Sequence, residues 1–189
     1  MTEYSAPGDE PGRRPPPLEA VAAEIEAFAG QGGWNQAPSL YALVPTRTLA
    51  ADPAAAALLG DSAIEPSDLP AEAITPIAQE ALPSGPLDEA LGQIGWPPEV
   101  VGCALCQEIV MLPPAAEAEL ADLDVDAATS RAAGHPERRD ARLVVAVLRT
   151  GQAASILRLR GTGDAAEDLL TGADLAPNLV SALAATLTD

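Results

Sequence analysis

The stretch DARLVVAVLRTGQAASILRLRG, residues 140–161, constrains the fold more than any other part of the chain. Two β-rich runs flank Thr150, Gly151 and Gln152, the pattern of an antiparallel hairpin closed by a glycine-containing loop. With a three-residue loop, Arg149 pairs with Ala153, and alternation sets Leu143, Val145, Val147, Leu157 and Leu159 on one apolar face. The second face holds Val144, Ala146, Leu148 and Ile156, and gathers Arg142, Arg158 and Arg160 at the end away from the turn.

Other strands must join this hairpin. VVGCALCQEIVML, residues 100–112, reads as a long strand bounded by Pro97, Pro98, Pro113 and Pro114, and SLYALVP as a short one ended by Pro45. The segment from Ile74 to Glu80 is at best an edge strand, because Pro76 cannot donate to a ladder. Helical spacing is clear at Leu18, Val21, Ala22, Ile25, Phe28 and Ala29, with Glu19, Glu24 and Glu26 turned away and Gly30, Gly32 and Gly33 stopping the helix. Further helices are expected in AADPAAAALLG with Asp52 as cap, in PLDEALGQIGW, in the acidic AAEAELADLDVDAATSRAA with a stripe of Leu120, Leu123 and Ala127, and from about Leu175 to Leu187.

These elements predict an α+β domain over residues 18–189, preceded by a disordered Pro/Gly-rich tail over 1–17. Its sheet is largely antiparallel with about five strands and helices packed mainly on one face, the 141–160 hairpin lying at its centre or edge. The order helix, Gly-Trp, proline, strand occurs twice, around Trp34 and around Trp96, which raises an internal duplication as an alternative to two separate rim residues sealing helices against the sheet.

The chain's two cysteines form a C-x-x-C within the long strand. Side chains alternate along a strand, so Cys103 and Cys106 point to opposite faces, roughly 10 Å apart, and neither bonds nor chelates with the other. A redox pair needs a helix N-terminus and a zinc site a second ligand pair, which one histidine, His135, cannot supply, so no metal and no cofactor are implied. GTGDAA mimics a dinucleotide fingerprint at Gly161, Gly163 and Ala166, but it follows a hairpin strand with fewer than 30 residues left, and Asp164 is better read as a helix cap. No motif supplies His135 with a nucleophile, and no catalytic residue is expected.

The formal charge of −18 argues against nucleic acid and anionic membrane as partners and favours basic ones. No leader pattern and no apolar run of about 20 residues is present, so a cytoplasmic protein without membrane insertion is expected. All ten basic residues are arginines, which with the Ala, Pro and Gly excess fits a GC-rich coding bias. Seven of them lie in residues 131–160 against two acids, a local +5 that leaves −23 for the rest. Arg142, Arg158 and Arg160, with Arg149 beside the turn, could clamp carboxylates or phosphates. Alternatively they pair with the protein's own acidic helix around Glu117 to Asp126.

GGWNQAPSLYALVPTRTL, IGWPPEVVGCALCQE and RDARLVVAVLRTGQAASILRLR resemble an uncharacterised family of small acidic cytosolic proteins of actinobacteria, over nearly the whole folded chain. The resemblance implies a single compact domain and brings no catalytic residue with it. By element order alone, the chain is also similar to small acidic α+β secretion chaperones. The expected function is non-enzymatic protein binding, adaptor or chaperone-like, through the arginine patch and the second hairpin face, with self-association as an equivalent use of that face. The rival is a small-molecule or anion binder, or an enzyme, with a pocket lined by Trp34, Tyr41 and Trp96.

Overall fold

The computed structural model describes residues 17–52, 67, 69–83, 85–120, 122–161 and 168–188. The predicted hairpin, β4 (Arg139–Leu148) and β5 (Ala153–Leu159), lies inside a six-stranded antiparallel sheet with β1 (Ser39–Pro45), β2 (Ile74–Ala78), β3 (Gly102–Met111) and β6 (Leu169–Gly172). The strand order is β2-β1-β3-β4-β5-β6, so β3 and β4 are central. The helices are α1 (Pro17–Gln31), α2 (Thr46–Ala51), α3 (Leu87–Leu91), α4 (Pro114–Leu120), α5 (Val125–Ala133) and α6 (Pro177–Thr186). The α+β class and the antiparallel sheet are as expected; β6 is the strand beyond the expected five.

Within the hairpin, Val147 pairs with Ala153 and the Leu148 amide donates to the Gln152 carbonyl. The loop is therefore Arg149 to Gly151, and the register differs by two residues from the expected Arg149–Ala153 pairing. Gly151, at φ +86°, takes the left-handed conformation that closes this loop. Because the shift is even, every side chain keeps its face.

Helices cover both faces of the sheet, not mainly one. β4 is buried from Ala141 through Val147, and a strand apolar on both sides needs cover on both. Leu18, Val21, Ala22, Ile25 and Ala29 of α1 pack on Tyr41, Leu43, Ala104, Cys106, Val144, Ala146, Ala154 and Ile156. On the opposite face Leu183 of α6, Leu187 just past its end and Leu91 of α3 pack on Cys103, Leu105, Leu143, Val145, Val147, Leu157 and Leu159. At about 1.5–3 kcal/mol for each fully buried Leu, Ile or Val, the two layers together supply the main drive to fold. The second hairpin face is thus α1's own seat, and the docking of a partner onto Val144, Ala146 and Ile156 expected from sequence is blocked.

The two faces also decide the duplication question. A two-fold axis exchanging the antiparallel neighbours β1 and β3 would leave each face on its own side, so equivalent tryptophans would share a face. Trp34 lies against Arg142 on the α1 face, whereas Trp96 packs with the α6 layer. They do not occupy equivalent places.

Two further expectations change. The acidic helix is two helices, α4 and α5, with Asp124 capping the second by accepting from the Ala127 amide at 2.9 Å and Leu123 left exposed between them. Phe28 is not in the α1 core stripe; it is 63% exposed. The helix expected from Pro53, the Asp164 turn and the tail over 1–16 lie outside the described residues, while Pro17 begins α1. Among the described residues no helix is long and apolar enough to cross a membrane.

Candidate functional site

The arginines of β4 and β5 meet α1 in a cluster of charges. Arg142 and Arg158 are directly opposed across the ladder, a like-charge pair that needs an anion between them. Glu26 of α1 supplies it, 2% exposed. Arg158 forks onto this carboxylate, Nε at 2.6 Å from Oε1 and Nη2 at 2.7 Å from Oε2. Arg142 Nη1 lies 3.4 Å from Oε1, and its Nη2 donates to the Gly33 carbonyl at the end of α1. Burial pushes the Glu26 carboxyl up, but the fork from Arg158 and the charge of Arg142 outweigh this and hold it below its ordinary value.

Around this core, Glu108 of β3 accepts from the amides of Asn35 at 2.8 Å and Gln36 at 3.1 Å and stands 3.8 Å from Arg142. Arg160 lies 3.6 Å from Asp140. The Trp34 ring stacks under both guanidinium groups, 4.6 Å from Arg142 and 5.3 Å from Arg160. Among the described residues the patch is neutralised from within, by Glu26, Glu108 and Asp140. Arg149 sits elsewhere, donating to the carbonyls of Val100 at 2.9 Å, Trp96 at 3.1 Å and Leu187, and so ties the end of the α6 layer to the approach to β3.

Beside the cluster lies a groove between α1 and strands β2, β1 and β3. Its inner part, about 310 Å³, is lined by residues including Phe28, Tyr41, Cys106, Glu108 and Arg142. An adjoining outer space of about 400 Å³ shares Phe28, Gln31 and Tyr41 with it and is lined further by Ile25, Pro76 and Ala78. Tyr41 forms its floor and is 6% exposed. The thiol of Cys106 is neutral, pushed up to about 11 by burial.

The two edges of the sheet are unlike. In β2 the bonds from Thr46 to Ala73 and from Gln79 to Leu40 fix the alternation, so Pro76 stands where an outward N–H would be. In β6 the bond from Leu159 to Asp168 sets the phase, so the main-chain groups of Leu169 and Thr171 face outward and both carry an N–H. Leu169 and Leu170 are 47% and 46% exposed.

The family model of PPA1309-like proteins matches residues 18–188, almost all of the described fold. The chain belongs to this family. No curated protein and no solved structure matches it significantly. The match begins at the first core residue of α1, Leu18, and ends one residue past Leu187, which closes the α6 layer.

Of the pocket expected from Trp34, Tyr41 and Trp96, only Tyr41 lines the groove; Trp34 is held by arginines and Trp96 donates from Nε1 to Thr186 Oγ1 at 3.0 Å on the other face. Cys103 and Cys106 do lie on opposite faces, both as free thiols, with Cys103 Sγ 3.6 Å from Thr186 Oγ1. His135 is in the turn between α5 and β4, its Nδ1 accepting from the Glu137 amide at 3.2 Å. Among the described residues no three His, Cys, Asp or Glu side chains are grouped as metal ligands. Glu26 was expected to face solvent. Its spacing of four and eight from Ala22 and Leu18 was the signal that it shares their stripe.

Proposed function

We propose that this chain is a non-enzymatic protein-binding domain, adaptor or chaperone-like, that takes an extended segment of a basic partner as an added strand on β6. The observation that carries this reading is the contrast between the sheet's edges: β2 has Pro76 at an outward position, whereas β6 presents the outward N–H groups of Leu169 and Thr171 with no such block. Exposed Leu170, on the face of Leu157, would meet the alternate apolar side chains that an added strand presents on that face, and the −18 charge favours a segment bearing Lys or Arg. A cytoplasmic setting in a high-GC actinobacterium fits the all-arginine basic set.

Selection of a random peptide display library on the immobilised protein tests it. The expected winners alternate apolar and basic residues, and their binding slows hydrogen exchange at Leu169 and Thr171. Thr171→Pro, which copies the β2 device on β6 without removing a bond to β5, is expected to weaken binding at least tenfold while the protein still melts cooperatively. Acidic winners, protection elsewhere, or unchanged affinity in the folded variant would overturn the reading.

A further inference from the structure

The groove under Phe28 has features that the fold does not need. Phe28 is the chain's one phenylalanine, yet it projects into solvent at the rim instead of filling the aliphatic core. Below it Tyr41 is more than nine-tenths buried, and its hydroxyl has no hydrogen-bond partner among the described residues. Buried polar groups are normally satisfied by protein or by what occupies the adjoining space. The one sealed orphan among the described residues is Ser155 Oγ; the Tyr41 hydroxyl is not sealed, because it borders the groove.

The charges along the groove specify the occupant further. Arg142 contributes no spare cation, since Glu26 and Glu108 flank it, and the remaining charge is Glu24 on the outer rim. An anion would find no counter-charge here. Gln31 and Gln36 supply neutral polar groups, and Ile25, Ala29, Pro76 and Ala78 supply apolar wall. The two adjoining spaces, about 310 and 400 Å³, share Phe28, Gln31 and Tyr41, and each falls in the size range of small-molecule sites.

We propose that the groove between α1 and strands β2, β1 and β3 binds a small amphipathic molecule that carries no negative charge, with its apolar body under Phe28 and a hydrogen-bonding head on the Tyr41 hydroxyl. This site is separate from the β6 edge, so each stands or falls without the other.

The probe is N-phenylnaphthylamine, an uncharged fluorophore with one N–H, compared with its anionic sulfonate, anilinonaphthalene sulfonate. The uncharged probe is expected to bind saturably at one equivalent, with chemical-shift changes at Phe28, Gln31 and Tyr41. The sulfonate should bind at least tenfold more weakly. Tyr41→Phe, which removes only the hydroxyl, should weaken the uncharged probe by about two- to tenfold, the range of one neutral hydrogen bond. Phe28→Ser at the exposed rim should weaken it further with an unchanged melting temperature. Absence of saturable binding, equal or tighter binding of the sulfonate, or affinities unmoved in both folded variants would overturn the proposal.

Discussion

At the scale of single residues, Glu26 decides more than any other side chain. It converts two opposed arginines from a repulsive pair into a tie between α1 and the sheet, and with Arg142 it forms an ion pair in which each side chain is 3% exposed. Removing one member of such a pair strands the other, so Glu26→Gln is expected to cost about 3–5 kcal/mol in urea unfolding. Replacing Glu26 by Leu together with Arg142 by Met should recover part of that loss. The sign of the pH dependence follows from the depressed carboxyl. Its contribution is full above the ordinary carboxylate pKa and is lost as pH falls through the lower folded value. Wild type should therefore lose stability on acidification below about pH 4.3 more steeply than Glu26→Gln. The arginines were legible in the sequence as one cluster, because alternation fixes their common face. Their neutralisation was not, since an acid on α1 reaches them only once the helix is docked.

At the scale of elements, the strands with strong alternation or long apolar runs were legible: β1, β3, β4 and β5, and β2 through its proline. β6 was not, because LLTG is too short to show a period and becomes a strand by pairing with β5. The acidic helix failed as one element because three apolar positions cannot hold a helix across Asp122 to Asp124, where a capped restart satisfies the backbone instead. Packing between strands makes its own demand at the start of β3. A Cβ on Gly102 would stand 2.4 Å from the Val147 carbonyl oxygen and 2.7 Å from the Leu148 side chain. Gly102→Ala must therefore push β3 from β4, with an expected cost of about 1–3 kcal/mol in chemical denaturation and a fold still present by circular dichroism.

At the scale of the whole molecule, the sheet is a middle layer with α1 on one side and α6 with α3 on the other, which places Cys103 in one core and Cys106 in the other. Burial raises both thiols, Cys106 to about 11, so near pH 7 its thiolate fraction is on the order of one in ten thousand. Ellman's reagent is expected to react with both at the rate of opening, the two rates rising together with urea; rapid reaction of Cys103 in native buffer would contradict the closed α6 layer. The sequence by itself determined the class, the hairpin, the side-chain faces and the separation of the cysteines, because strand alternation is a local property that survives even a two-residue change of register. Only the tertiary structure decided which helix covers each face, that Glu26 turns inward, that Phe28 stays outside and that β6 exists. Each of these depends on partners distant along the chain, and no local period records whether a face will meet solvent, a helix or another strand.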